Sequence, residues 1–269
     1  MSDRSLEEQA ANNLVAVRTK KPLIHNITNF VVMNYTANAL LACGASPVMA
    51  HAAEEVEEMV SFAGALVLNI GTLSKSWVDA MVIAGKKANE VKVLVILDPV
   101  GSGATRLRTE SAKRLIRELS ISVIRGNASE ILSLDQEGAR TKGVDSIHRV
   151  DEAEAAAVAL ARRLNTTLAI TGPVDLVTDG RRVCRIFNGH ELMGFVTGTG
   201  CTATALIGAF LSVDPEPVSA TATALAYFGL SGEKAAAVSK GPGSFQIALL
   251  DALFSMDGDT LRKRARIEG

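Results

Sequence analysis

Val93-Leu94-Val95-Ile96-Leu97-Asp98-Pro99-Val100-Gly101-Ser102-Gly103 carries the pattern that decides the fold. Five successive apolar residues end abruptly in a carboxylate, a proline and two glycines. A strand with one wet face alternates apolar and polar residues. An unbroken apolar run instead reads as a strand covered on both faces of a parallel sheet. The pattern repeats outward in both directions, with candidate strands at 46–50, 65–70, 122–124 and 168–170. Between them lie segments of helical length at 29–42, 54–63, 75–89, 110–119 and 152–164. This alternation predicts an α/β fold with a mainly parallel central sheet and helices on both faces. Residues 176–178 and 183–187 flank Asp179-Gly180 and read as an antiparallel hairpin at one sheet edge.

Helix signals complete the outline. Asp151-x-x-Glu154 reads as a capping-box start. Asp214-Pro215 reads as an N-cap and first helical residue, opening a helix to about Val238. Phe245, Ala248, Leu249, Ala252 and Leu253 share one face of a final helix, and the charged tail from Asp257 reads as a fraying end. No Pro/Gly/Ser-rich linker divides the 269 residues, so a single domain over 1–269 is expected.

Composition narrows the function. A net charge of −1 with interspersed signs argues against a nucleic-acid surface or a polybasic membrane anchor. With 4% aromatic residues the chain also lacks the platforms on which bases stack. Cys43, Cys184 and Cys201 form neither a C-x-x-C pair nor an even set, which fits a reducing compartment. The polar N-terminus and the lack of a spanning apolar run predict a cytoplasmic protein with no membrane partner.

In open α/β sheets, ligands gather outside the carboxyl ends of the strands. Those ends are chemically rich here: Asp98 after 93–97, Arg125-Gly126-Asn127-Ala128-Ser129-Glu130 after 122–124, Thr171-Gly172 after 168–170, and Gly71-Thr72-Leu73-Ser74 after 65–70. Asp98 and Glu130 suit Mg²⁺, directly or through its waters. Arg125 offers a planar fork to phosphate oxygens. Val196-Thr197-Gly198-Thr199-Gly200-Cys201 then opens straight into an apolar helix reaching about Val213. Glycines let a ligand approach the backbone, and the first N–H groups of a helix are unpaired and partly positive. The turn is therefore a candidate phosphate site, and a thiol in its first turn is expected to have a lowered pKa.

Each feature alone has an ordinary structural explanation. Their arrival on one rim predicts an enzyme handling a nucleotide with magnesium. There is no G-x-x-x-x-G-K-[ST], which excludes a P-loop, and no G-x-G-x-x-G after the first strand, which removes the main support for dinucleotide redox chemistry. His25 and His51 lack zinc-ligand spacing, His148 and His190 read as surface-loop residues, and Cys43 and Cys184 read as packing residues.

Several blocks, in order, resemble the hydroxyethylthiazole kinase family of the ribokinase-like superfamily. They are Pro22-Leu23-Ile24-His25-Asn26-Ile27-Thr28-Asn29, Gly44-Ala45-Ser46-Pro47-Val48-Met49-Ala50, Leu66-Val67-Leu68-Asn69-Ile70-Gly71-Thr72, Leu97-Asp98-Pro99-Val100-Gly101, Ile124-Arg125-Gly126-Asn127 with Glu130, Ile170-Thr171-Gly172, the 197–201 turn, and Lys240-Gly241-Pro242-Gly243-Ser244-Phe245. The resemblance implies a three-layer α/β/α kinase moving the γ-phosphate of ATP to the primary hydroxyl of 4-methyl-5-(2-hydroxyethyl)thiazole in thiamine salvage. It implies that Met49 and Gly198 contact the thiazole, with Asn29 and the Gly71-Thr72 turn lining that pocket. Arg125 and Thr171 would contact ATP, with Asn127 on the same side. Asp98 and Glu130 would hold Mg²⁺, while Gly198, Gly200 and Cys201 would serve the transfer itself. Cys201 stands where related kinases place an aspartate base, so the thiol would orient the alcohol and take its proton late. The resemblance further implies a homotrimer with the thiazole pocket at a subunit boundary. Thr199 departs from the smaller residue often found there and is expected to narrow the pocket. Competing readings are a Cys201-nucleophile hydrolase, which needs a histidine base, a nucleotide-binding regulator without turnover, and a kinase for hydroxymethylpyrimidine or pyridoxal.

Overall fold

A computed structural model describes residues 5–135 and 150–269. In chain order the elements are α1 (Leu6–Lys20), β1 (Leu23–Ile27), α2 (Met33–Cys43), β2 (Ser46–Val48), α3 (Val56–Ser61), β3 (Ala65–Asn69), α4 (Lys75–Glu90), β4 (Leu94–Asp98), α5 (Arg106–Glu118), β5 (Val123–Asn127) and α6 (Ala128–Leu132). There follow α7 (Val150–Leu164), β6 (Thr167–Thr171), β7 (Asp175–Thr178), β8 (Val183–Ile186), a 3₁₀ turn (Glu191–Phe195), α8 (Thr199–Leu211), α9 (Pro217–Val238), α10 (Pro242–Ser255), α11 (Gly258–Arg264) and β9 (Ile267–Glu268). The side chain of Asp151 and all of His148 fall outside the described part.

The strands form one sheet in the order β2-β1-β3-β4-β5-β6-β7-β8-β9. Pairing is parallel from β2 to β6 and antiparallel from β6 to β9. Successive side chains of a strand point to opposite faces. Ala65 and Val67 accordingly join the core under α1, α2, α8, α9, α10 and α11, whereas Leu66 and Leu68 join the core under α3–α7. Both faces are covered, which is why the central strands read as unbroken apolar runs. Among the described residues, no helix is long and apolar enough to cross a membrane.

The helix expected at 110–119 begins at Arg106 and the one expected at 29–42 begins at Met33; five further departures bear on the architecture. Leu23–Ile27 is a central strand that was not expected, because His25 and Asn26 interrupt its apolar run; both are fully buried. Helix α1 was also unforeseen, since its buried face consists of Ala10, Ala11, Asn13, Leu14 and Val17. The strand at 46–50 shortens to three residues, freeing Met49 and Ala50 for the rim. Helix α9 starts at Pro217 with Glu216 as its N-cap, two residues later than expected. Asp214 instead accepts hydrogen bonds from Asn13, Gln9 and Ser219. Finally, the tail from Asp257 is ordered: Asp257 caps α11, and β9 pairs with β8, so the hairpin is not the sheet edge.

Candidate active site

Strand order reverses between β1 and β3, since the chain runs from β1 to β2 on one side and then crosses to β3 on the other. Such a switch point leaves a crevice outside the strand ends. Asn29 and Asn69 border it, and α8 begins at its rim. Gly198, the N-cap of α8, has φ +90°, and its carbonyl accepts from the Thr202 amide at 2.8 Å. A Cβ there would lie 2.7 Å from Val32 Cγ1, so both backbone and space call for glycine. No side chain caps this helix, which leaves its first-turn N–H groups for a ligand. The Thr199 hydroxyl is turned back onto the carbonyls of Met193, at 2.9 Å, and Val196, at 3.2 Å.

Arg125 rises from β5 beside that turn. Its Nη2 donates to Thr171 Oγ1, and its Nη1 lies 3.9 Å from Asp98 Oδ2. Its Nε is buried with no hydrogen-bond partner among the described residues. A Cβ on Gly200 would lie 2.5 Å from Arg125 Nη1, so glycine there lets the guanidinium reach the helix start. Arg125, Thr171, Asp175, His190, Thr199 and Gly200 line a cavity of about 520 Å³. A larger cavity of about 590 Å³, with Lys92, Asn165 and Arg181 in its wall, lies at the opposite ends of the strands and contains none of the predicted residues.

On the other side of Arg125 the two asparagines meet the aspartate. Register places Asn69 directly beside Asp98. Asp98 is fully buried, and its Oδ2 accepts from Asn69 Nδ2 at 2.8 Å and Thr204 Oγ1 at 2.9 Å. Burial pushes its pKa up to about 6, opposed by the charge of Arg125. Its other oxygen, Oδ1, is buried with no hydrogen-bond partner among the described residues. Asn29 Nδ2 donates to Asn69 Oδ1 at 2.8 Å and reaches Cys201 Sγ at 3.5 Å. The expectation of an acidic thiol is corrected: burial, reinforced by the Asp98 carboxylate, pushes Cys201 up to about 11. The helix start does not offset that desolvation. Cys201 is therefore a neutral thiol at pH 7, with two asparagine amides beside it.

Glu130 has both oxygens engaged, Oε1 with the Gly101 amide at 2.8 Å and Oε2 with the Asn127 amide at 2.9 Å. Asn127 Oδ1 accepts from the Glu130 amide at 2.9 Å, and the two form a capping box at the start of α6. This tethers the Gly101 loop next to Asp98. Among the described residues, no three His, Cys, Asp or Glu side chains cluster as a metal cage. Two carboxylates, one with an unpaired buried oxygen, nevertheless match the sparse donor set Mg²⁺ takes when phosphates and water complete its shell.

The remaining predicted pocket residues lie at the open edge. Met49 follows β2 and is half-buried. His25, held neutral by burial, bonds the Ala50 carbonyl at 2.8 Å and thereby anchors that segment. Gly71 lies so close over Asn29 that a Cβ would fall 2.6 Å from Asn29 Nδ2. His51 is exposed and stacks on Trp77 at 4.0 Å between ring centroids, and Phe30 packs on the same indole at 4.9 Å. Three residues were missed in the sequence. Asn69 belongs to a quoted block, but only its register with Asp98 reveals its part. Asp175 accepts the Gly172 amide at 2.9 Å, and burial raises its pKa to about 6. Arg108 joins two rim loops by donating to the carbonyls of Ile70, Gly71 and Val100. No sequence signal marks either Asp175 or Arg108.

One mainly parallel sheet between two layers of helices, with a crevice at its switch point, is the architecture of the ribokinase-like class. A ribokinase-like superfamily protein from Enterococcus faecalis V583 shares this fold, with a TM-score of 0.63 at 14% identity over 94% of this chain and 89% of that one. The match becomes specific in sequence. The family model described as the hydroxyethylthiazole kinase family matches residues 14–259. A relative named hydroxyethylthiazole kinase, from Desulfotalea psychrophila, is 63% identical over 100% of this chain and 97% of its own length. The solved structure of a hydroxyethylthiazole kinase protein from Pyrococcus horikoshii OT3 superposes with a TM-score of 0.90 at 48% identity, covering 96% of this chain and 98% of that one. This chain belongs to the hydroxyethylthiazole kinase family.

Proposed function

We propose that this protein transfers the γ-phosphate of ATP to the primary hydroxyl of 4-methyl-5-(2-hydroxyethyl)thiazole, as a step of thiamine salvage in the cytoplasm, and that residues 1–269 act as one catalytic domain. The observation that carries the reading is the uncapped start of α8 at Gly198–Cys201, with Arg125 on one side and the Asn29–Cys201 pair on the other. A phosphoryl group at that bend meets backbone donors and a guanidinium in the cavity of Thr171 and Gly200. An alcohol meets Cys201, Gly71 and Met49.

Phosphoryl transfer needs positioning and charge neutralisation more than covalent chemistry. Arg125, held by Thr171, clamps the phosphates, and the amides of residues 199–201 take up negative charge as it develops. Asp98 and Glu130 are the residues that would hold Mg²⁺, which when bound supplies further neutralisation at the phosphate oxygens. Cys201, protonated at neutral pH, orients the attacking hydroxyl. A loose transition state lets the hydroxyl proton leave late, onto an oxygen of the transferred phosphoryl group, so the neutral thiol orients the alcohol and is not required to act as the base.

A cysteine-nucleophile reading is disfavoured. That chemistry wants a thiolate and a histidine base, whereas Cys201 is raised to about 11 and its neighbours are Asn29 and Asn69. A homotrimer with the alcohol pocket at a subunit boundary is supported by the edge position of β2 beside Met49 and by the exposure of Phe30 (63%) and Val31 (66%) on the neighbouring loop.

The test is ADP formation from Mg-ATP with a panel of alcohols: the thiazole alcohol, hydroxymethylpyrimidine and pyridoxal. Turnover with the thiazole alcohol is expected. Preference for another alcohol overturns the substrate assignment, and nucleotide binding without turnover on any of them overturns the enzyme reading.

A further inference from the structure

We propose that Asn69 is a positioning residue for phosphoryl transfer, acting on Cys201 both as its direct neighbour and through Asn29. The proposal deepens the functional reading above and rests on its placement of Cys201 beside the acceptor alcohol.

Asn69 ends β3, directly alongside Asp98 of β4, and is 1% exposed. It is too deeply buried to touch either substrate. Its hydrogen bonds fix the orientation of every amide between the carboxylate and the sulfur. An ionised carboxylate only accepts, so Asn69 must turn Nδ2 toward Asp98 Oδ2, where it lies at 2.8 Å. Its Oδ1 then faces the crevice and accepts from the Gly71 amide at 2.9 Å and from Asn29 Nδ2 at 2.8 Å. That acceptor obliges Asn29 to present Nδ2 as well, which leaves its second hydrogen for Cys201 Sγ at 3.5 Å. Asn29 Oδ1 is meanwhile held by the Val31 amide at 3.2 Å.

The polarity therefore runs one way, from a buried charge through two amides to the thiol. Were Asn29 reversed, its oxygen would face the sulfur and claim the S–H hydrogen. As arranged, Asn29 donates to the sulfur, and the S–H hydrogen is directed at other groups of the crevice, including a bound alcohol. Thr204 holds the same Asp98 oxygen at 2.9 Å, which pins the starting point of the chain. Nothing in this network depends on exposed side chains, so it is set before substrate arrives.

The experiment is a double-mutant cycle of Asn69→Ala and Cys201→Ala, read by steady-state kinetics with Mg-ATP and the thiazole alcohol. Asn69→Ala alone is expected to lower kcat by roughly tenfold to a hundredfold, the scale of a misplaced reacting group, with KM for both substrates unchanged. In the Cys201→Ala background the same substitution is expected to cost little, because the group it positions is gone. Equal loss in both backgrounds overturns the proposal and assigns Asn69 to folding or to Asp98 alone. A loss confined to KM also overturns it. Full activity of Cys201→Ala overturns the placement of the thiol beside the alcohol and the relay with it, whereas an impaired Cys201→Ala with additive effects overturns the relay only. If Asn69→Ala does not fold, Asn69→Ser keeps a hydroxyl donor beside Asp98, is too short to hold Asn29 as well, and enters the same cycle with the same expectation.

Discussion

Gly200→Ala should separate stability from catalysis in opposite directions. Gly200 is the second residue of α8 and its φ is not positive, so alanine fits the backbone. Alanine is favoured over glycine in a helix by up to about 1 kcal/mol. The new Cβ, however, would sit 2.5 Å from Arg125 Nη1, 3.0 Å from Nη2 and 3.1 Å from Cζ. Carbon–nitrogen contact needs roughly 3.5 Å, so the guanidinium must withdraw by about 1 Å. That movement pulls Nη2 from Thr171 and carries Nη1 further from Asp98, already 3.9 Å away. A hydrogen bond made by a charged group contributes about 1.5–3 kcal/mol, and 1.36 kcal/mol is a decade in rate, so about 10- to 100-fold is at stake. We expect kcat/KM for ATP to fall by that factor while KM for the alcohol holds and the thermal midpoint is unchanged or raised. Initial-rate kinetics with ATP varied, alongside a thermal melt, read both quantities. Undiminished kcat/KM for ATP would refute the role given to Arg125, and a midpoint that falls with activity would show that the damage is to folding.

Asp98→Asn keeps a side-chain oxygen for Asn69 and Thr204 while removing a buried charge. Burial raises Asp98 from 3.8 in the unfolded chain to about 6 in the folded one, so the folded state binds the proton more tightly. Its favourable contribution is fully present below pH 3.8 and is lost as pH rises through about 6. Asp98→Asn should therefore raise the thermal midpoint more at pH 8 than at pH 4 while abolishing most kinase activity; equal shifts at both pH values contradict the burial argument. Glu130→Gln leaves one acceptor oxygen for two amides, Gly101 and Asn127. Urea unfolding should show a loss of about 1–3 kcal/mol, the cost of an orphaned partner. Glutamine can keep the capping box, so an unchanged midpoint would mean that the tether to Gly101 contributes nothing.

The double-covered strands were legible because burial on both faces leaves an unbroken apolar run, as in Ala65–Asn69 and Leu94–Asp98. Strand β1 was not, since His25 and Asn26 look like loop residues until the Ala50 carbonyl and the Ile24 carbonyl are seen to satisfy them. Asp98, Arg125, Thr171 and the 198–201 turn could be singled out because each follows a strand or opens a helix, and such ends collect on one rim. Asn69, Arg108 and Asp175 are ordinary residue types at ordinary spacing. Their parts emerge only when parallel register sets Asn69 beside Asp98, and when Arg108 is found joining the nearby Val100 carbonyl to those of Ile70 and Gly71, 38 and 37 positions away in sequence.

Local chemistry, written in the order of residues, determined the strand–helix alternation, the glycine turn and the kinds of side chain brought to the rim, because periodicity and backbone freedom depend on near neighbours. Tertiary packing alone decided the protonation of Cys201 and the direction of the asparagine chain. A thiol's acidity depends on how much water and which charges surround it, and here burial within the first turn of α8 and the Asp98 carboxylate outweigh the helix start that the sequence displays.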